Sequence, residues 1–381
     1  MSIIDFMRVK KVCIIFGGKS VEHEISIISA NSILNNINKT KYKIFGIYIT
    51  KDGVFCEATP RINRESSEYK FKINRQKIAL LSNQKNKNLL ILRGSKIEAK
   101  INIDVFFPII HGTGGEDGSI QGLLELVDKP YVGCGVESSS ICMNKILSKK
   151  LLSQQSIPTT AFHSFDKEEW RTSETILIKK ILEDVGLPCF VKASNLGSSV
   201  GIYRVTTTKE LKSRIKDGFR FANELLVEEA VLQPEEVEVS ILEKNNNIIT
   251  TAPGRIIPSD EFYSYKAKYI DGKSEIEIPY QRASSNPALM KRIKTLSNKV
   301  FTALQCSGMA RIDFLYGKTT RKKKPGLYFS EINTIPGFTE ISMFPKLLNN
   351  VGITLEGTIE ALIRNSESKH RKKEKLVTDF L

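Results

Sequence analysis

Three polar side chains in the last third of the chain have the types and spacing to do chemistry. They are Asp313 in Ala-Arg-Ile-Asp-Phe, then Glu331 and Asn333 in Ser-Glu-Ile-Asn-Thr. Residues two apart on a strand face the same side, so Glu331 and Asn333 converge, and Arg311 and Asp313 do likewise. The basic turn 317–326 would let the two strands pair as a hairpin, with all four groups on one face. Two carboxylates and an amide oxygen are hard donors that suit Mg²⁺, which completes its shell with phosphates and water. For any one residue an exposed sheet face of alternating charge is the simpler reading. Four polar groups at strand spacing among apolar neighbours favour the metal.

Four more clusters add to this. Gly197-Ser198-Ser199-Val200-Gly201 follows an apolar strand carrying Lys192. Its glycines let backbone N–H groups approach phosphate oxygens, although the Gly-Lys-Ser/Thr of a Walker loop is absent. His111 precedes four glycines at the end of another apolar strand, the edge at which open α/β sheets collect ligands. The other histidines, His23, His163 and His370, stand at no zinc-ligand spacing. Glu22 lies one turn beyond Gly17-Gly18, where a carboxylate can grip an ammonium group. The competing role for Glu22 or Glu24 is helix capping, since acids favour a first turn; Glu24 fits that role better. Residues 262–269, with three tyrosines and two lysines, read as a lid that closes on anions.

The elements that must position these groups alternate. Residues 12–16 form a short apolar strand closed by glycines, and 24–34 carry apolar residues at roughly helical spacing. Strands are expected at 42–50, 104–110, 131–133, 188–193, 225–229, 236–242, 248–253, 311–315 and 327–332. Helices are expected at 123–127, 143–155, 173–185 and 287–306. Residues 61–100 are lysine-rich with short apolar pieces and read as peripheral, and the tail after Asn365 reads as frayed. The alternation predicts an open parallel α/β sheet over the first 140 residues.

Length and composition set outer bounds. At 381 residues the chain has room for two or three domains. No apolar run approaches the ~18 residues that cross a bilayer, and residues 12–16 are too short for a signal-peptide core. The six cysteines form no Cys-x-x-Cys pair and sit mostly in apolar runs, as reduced thiols of a cytoplasmic protein would. A net charge of +15 invites a nucleic-acid reading. Much of the excess, however, lies in 321–324 and 369–375, with no aromatic interleaving. Solvated surface is the better account, and the positive field would help attract a small anionic substrate.

Together the clusters resemble the D-alanine–D-alanine ligase family of the ATP-grasp superfamily, in order from Gly17 to about Pro345. Gly-Gly-Lys-Ser-Val-Glu-His-Glu-Ile-Ser looks like its first signature and His-Gly-Thr-Gly-Gly-Glu-Asp-Gly-Ser-Ile-Gln-Gly its second. Residues 196–201, 263–269, 311–313 and 331–337 complete the set. The resemblance implies an ATP-grasp fold behind an N-terminal Rossmann-like parallel sheet. It divides the chain into a substrate domain (1–140), a central subdomain (141–235), a C-terminal metal-bearing subdomain (236–365) and a basic tail (366–381).

The resemblance also implies roles. Lys145 and Lys192 would hold nucleotide phosphates with the loop residues Ser198 and Ser199. Glu229 would face the adenine amino group and Glu236 the ribose. Asp313, Glu331 and Asn333 would bind two Mg²⁺ ions, or Mn²⁺ in their place, with Glu331 bridging. Glu22, with His111 nearby, would hold the first D-alanine's ammonium, and Ser342 the second's carboxylate. Lys268 would touch that carboxylate and the γ-phosphate, and Tyr269 and Ser198 would join Glu22 in closing the lid. Arg311 and the Gly337 N–H would hold an oxyanion. The implied reaction makes D-alanyl-D-alanine for peptidoglycan through an acyl phosphate, in a cytoplasmic homodimer without nucleic-acid or membrane partners.

Four departures from the family pattern stand out: Asn144 for the usual Asp, Ser264 and Lys266 where acids are common, Ala230 at an adenine-side position, and a long basic turn at 318–324. Ligases forming D-alanyl-D-lactate or D-alanyl-D-serine are the nearest alternatives; Tyr269 after Lys268 argues against the first. A non-catalytic nucleotide or nucleic-acid binder would have no use for the Asp313, Glu331 and Asn333 set.

Overall fold

The computed structural model describes residues 9–83, 87–197, 200–257 and 275–377. In chain order its elements are β1 (Lys10–Gly17), α1 (His23–Asn36), β2 (Tyr42–Ile49), β3 (Phe55–Ile62), β4 (Tyr69–Leu81), β5 (Leu89–Arg93), β6 (Lys96–Ile101) and β7 (Val105–Pro108). Next come α2 (Ser119–Val127), α3 (Val136–Met143), α4 (Lys145–Gln154), β8 (Phe162–Asp166), α5 (Lys167–Asp184), β9 (Cys189–Ala193), β10 (Ile202–Val205), α6 (Thr208–Gly218) and β11 (Glu224–Glu229). The rest are β12 (Val231–Lys244), β13 (Asn247–Thr250), β14 (Gly254–Ile257), β15 (Glu275–Glu277), α7 (Gln281–Ser284), α8 (Pro287–Ala303), β16 (Met309–Thr319), β17 (Gly326–Asn333), α9 (Met343–Asn350) and α10 (Leu355–Lys373).

β1 is apolar without alternation because it is covered on both faces and both edges: β2 and β7 pair with it in parallel, and Val12 to Phe16 are wholly buried. Gly17 and Gly18 then turn the chain at φ +90° and +100°. A Cβ on Gly17 would stand 2.2 Å from the Ile49 carbonyl oxygen, so this turn admits only glycine.

The first sheet is not the open parallel sheet expected. Its order is β6-β5-β4-β3-β2-β1-β7, and every pair from β2 to β6 is antiparallel. Residues 61–100 are no periphery either; they supply β4, β5 and β6. An antiparallel sheet with one wet face alternates polar and apolar side chains. Lysines occupy the wet face of β4 while Phe71 and Ile73 pack on the core, which gives the segment a peripheral composition.

Sheet two runs β10-β9-β11-β8, all antiparallel. Sheet three runs β15-β14-β12-β16-β17, with β13 also on β12. Between the strands expected at 225–229 and 236–242 lies a bulge within β12, whose register shifts between Leu232 and Glu235 around Pro234. Residues 131–133 give only an isolated bridge, Phe106 to Tyr131, rather than a strand.

The tail is helical to Lys373 instead of frayed. α10 places Ile359, Leu362 and Ile363 in one core with Val12, Ile14 and Phe16 of β1. Its end is held by Lys10 to Glu367 at 2.5 Å, Lys369 to Ser307 at 3.1 Å, and a Lys373–Glu125 ion pair.

Candidate active site

A cleft of about 400 Å³ is lined by Lys19, Ser20, Glu22, Lys51, Gly112 and Leu196, among others. It therefore draws on the first signature, the histidine–glycine loop and the loop after β9. Glu22 occupies the N-cap position of α1, yet its carboxylate makes no capping hydrogen bond. It is only 8% exposed and points at Gly112, where a Cβ would lie 2.7 Å from its Oε2. A Cβ on Gly197 would approach the same oxygen to 3.4 Å. Glu24 is instead exposed in the first turn, paired with Lys51 at 3.1 Å. His23 is a packing residue, bonded to the Gly18 carbonyl and the Tyr48 hydroxyl.

His111 is buried between Ser29 and the Ile335 carbonyl. Its Nδ1 lies 2.9 Å from that carbonyl, which can only accept, so Nδ1 carries the proton and Nε2 accepts from Ser29 Oγ at 2.8 Å. Burial lowers its pKa, against the opposing pull of Glu22, and the ring is neutral. Beside it, Glu116 accepts from the Gly112 N–H at 2.9 Å and the Ile335 N–H at 3.0 Å, tying two loops together. Burial, then the Glu22 charge, pushes its carboxyl up to about 8.

The lysines expected on the phosphate side are held by partners that sequence reasoning passed over. Lys145 opens α4, whose N-cap is Asn144: the Asn144 Oδ1 accepts from the Ile146 and Leu147 N–H groups at 2.9 and 3.0 Å. The departure from the usual Asp thus keeps the cap. Lys145 Nζ donates to the Leu196 carbonyl at 2.6 Å and lies 3.7 Å from Glu331 Oε2. Lys192 on β9 pairs with Glu228, and so does the fully buried Lys149 at 2.8 Å. Burial alone would raise the Glu228 carboxyl, but the two ammonium groups hold it far below the ordinary carboxylate range. A carboxylate inside Leu-Leu-Val-Glu-Glu and a lysine four residues after Lys145, on the same helix face, were the available signals.

Glu229, at the end of β11, is buried and accepts from Thr320 Oγ1 at 2.8 Å and the Arg321 N–H at 3.0 Å. The long basic turn therefore folds onto the expected adenine-side acid. Glu236 is half-buried on β12, opposite Leu315 and Ile256.

β16 and β17 form the expected hairpin. Arg311 pairs with Asn333 and Asp313 with Glu331, so the four groups share one face. Arg311 grips Asp313 through Nε at 2.8 Å and Nη2 at 2.7 Å, and Asn333 Nδ2 donates to Asp313 at 3.1 Å. Two half-buried carboxylates with an amide beside Asp313 are a donor set that fits Mg²⁺, provided phosphate and water complete the shell. Past β17 the chain turns through Gly337, where a Cβ would lie 2.5 Å from Ser342 Oγ. Ser342 is the N-cap of α9 and its hydroxyl meets Thr339 Oγ1 at 2.7 Å. Ser198, Ser199, Lys268, Tyr269 and the rest of the expected lid lie outside the described residues.

Comparison with known proteins gives one answer. A family model described as "D-ala D-ala ligase N-terminus" matches residues 11–134, and one described as "D-ala D-ala ligase C-terminus" matches 151–364. D-alanine–D-alanine ligase of Caldicellulosiruptor bescii is 42% identical over 96% of this chain and 97% of its own length. The Clostridium acetobutylicum enzyme is 40% identical over 95% and 99%. The D-alanine–D-alanine ligase structure from Coxiella burnetii superposes with a TM-score of 0.76 at 30% identity, over 96% of this chain and 97% of that one. The VanG D-Ala:D-Ser ligase of Enterococcus faecalis gives 0.78 at 30%, over 94% and 100%. The class is thus that of the ATP-grasp ligases, enzymes that use ATP to join a carboxylate to an amine. Within it, this chain belongs to the D-alanine–D-alanine ligase family.

Proposed function

We propose that this protein joins two molecules of D-alanine, converting ATP to ADP and phosphate, and so supplies the dipeptide for peptidoglycan. The observation that carries this reading is Glu22: a nearly buried carboxylate at a helix start that caps nothing and faces a cleft. A nucleotide-binding protein has no use for it; an amino-acid ligase needs it for an ammonium group.

In this reading the carboxylate of the first D-alanine attacks the γ-phosphorus of ATP, and ADP leaves. The amine of the second then attacks the acyl carbon and expels phosphate. Lys145 and Lys192 hold nucleotide phosphates, Glu229 faces the adenine and Glu236 the ribose. When bound at Asp313, Glu331 and Asn333, Mg²⁺ would neutralise charge on the transferring phosphoryl group. Arg311 and the Gly337 N–H face the oxyanion of the acyl-transfer step. Neutral His111 adds no charge that would repel the ammonium on Glu22, and Ser342 receives the acceptor's carboxylate. The roles of Lys268, Tyr269, Ser198 and Ser199 in closing over the acyl phosphate rest on sequence resemblance.

In this reading the chain divides into a substrate domain (1–140), a central subdomain (141–235), a C-terminal subdomain (236–365) and a tail (366–381), although β12 and α10 run across the last two boundaries. Six free, buried cysteines accord with a cytoplasmic protein, and among the described residues no helix is long and apolar enough to cross a membrane. A homodimer is the expected assembly, to be read by light scattering. The deciding experiment is phosphate release from ATP with D-alanine, against L-alanine, D-lactate and D-serine as acceptors. Release with D-alanine alone, giving the dipeptide, supports the reading; preference for D-serine would move the chain to the other ligase type.

A further inference from the structure

The carboxylate row of the third sheet is one residue longer than the sequence motifs mark. In register, Glu238 on β12 stands opposite Asp313 on β16, and Asp313 opposite Glu331 on β17. Directly opposed residues of neighbouring strands project to the same face, with Cβ atoms about 4.5–5.5 Å apart. Glu238 therefore extends the Asp313–Glu331 row by one strand. It is only 5% exposed, and its Oε2 lies 3.0 Å from Arg311 Nε.

That nitrogen also donates to Asp313 Oδ1, while Nη2 takes Oδ2, so both Asp313 oxygens face the guanidinium. Turning an oxygen of Asp313 to a divalent cation weakens this grip, because the carboxylate then shares its charge between guanidinium and cation. A guanidinium left beside that cation without a carboxylate would be repelled by it. The described charges of the row are three carboxylates against Arg311 and Lys145, 2 − 3 = −1. A divalent cation reverses that balance, so Arg311 needs an acid that does not leave with Asp313.

We propose that Glu238 is a positioning residue for Arg311: it retains the guanidinium at the row when Asp313 turns to the cation. This rests on the roles given above to Asp313 and Arg311. Glu238 itself need not touch cation or substrate. The carboxylate takes over one existing contact, and no covalent bond changes.

The test is a double-mutant cycle on Mn²⁺ affinity, read by electron paramagnetic resonance of free Mn²⁺ with a non-hydrolysable ATP analogue present. The variants are Glu238→Gln, Arg311→Ala and the double variant, with melting temperature as the folding control. In Glu238→Gln, Arg311 stays on Asp313, and Mn²⁺ should bind about tenfold more weakly. In the Arg311→Ala background the same substitution should change affinity by less than about threefold. Arg311→Met serves the same cycle should the alanine variant unfold. In parallel, Glu238→Gln should lower kcat about tenfold with KM for D-alanine within about twofold, a split that loss of packing alone would not produce. Equal weakening of Mn²⁺ in both backgrounds would show that Glu238 acts on the cation directly and overturn the proposal. No change in either would reduce Glu238 to packing and overturn it as well. A wild-type protein that forms no dipeptide would instead defeat the ligase reading, whatever the Mn²⁺ cycle gives.

Discussion

Whether Glu22 is a capping acid or a substrate acid depends on where its carboxylate goes, and it goes to Gly112 rather than to a helix N–H. Glu22→Gln keeps the shape and loses the charge. Truncating one partner of a desolvated charge pair costs about 2–5 kcal/mol, so kcat/KM should fall at least about tenfold. The loss should appear in the KM for the first D-alanine, with ATP affinity unchanged by titration calorimetry; weakened ATP with intact D-alanine kinetics would return Glu22 to the cap. Glu228 makes the opposite kind of case, since its partners are lysines of the protein itself. Glu228→Gln leaves two ammonium groups facing each other in the interior, a loss of about 3–5 kcal/mol in urea unfolding. Because the folded carboxyl titrates below its unfolded value, its contribution is present above the ordinary carboxylate range and lost as pH falls through the folded pKa. The variant's stability should accordingly depend less on pH in the acid range than the wild type's.

At the scale of elements, α4 shows how a cap serves a site. Asn144→Ala removes the two N-cap bonds and should cost about 0.5–2 kcal/mol of stability, while loosening Lys145 and raising the KM for ATP. Asn144→Asp should hold the cap and keep wild-type stability by thermal melting; a loss as large as alanine's would deny the cap its role. Elements with one clear period or a fixed turn were legible beforehand: β1 closed by glycines, the β16–β17 hairpin, and α8 after its proline. β4 to β6 were not, because strands with one wet face read locally as polar linker and only pairing reveals them. Of the candidate site, the grouping of Asp313 with Glu331 on one face was legible from spacing, and so was the place of Glu22 at a cleft just beyond Gly17-Gly18. Glu116, Lys149, Glu228 and Glu238 were not, since their worth lies in partners far along the chain: Ile335, Lys192 and Arg311 are not neighbours in sequence.

Over the whole molecule, α10 joins pieces that the chain makes far apart. Lys10 meets Glu367, Lys373 meets Glu125, and Lys369 meets Ser307. Removing residues 366–381 leaves Ile359, Leu362 and Ile363 in place but strips these contacts and the buried Ser366. Exposed ion pairs contribute only about 0.2–1 kcal/mol each, so the melting temperature should fall by a few degrees, at about 2–4 °C per kcal/mol. An unchanged melting curve would make the last turns ornamental. The same helix bears on how the protein is born. β1 leaves the ribosome early, but Ile359, Leu362 and Ile363, which share its core, are added only after about 340 further residues. At about 5–20 residues per second, part of the first sheet's apolar face waits for roughly 17–70 s before its cover arrives, and through that interval a chaperone has something to hold.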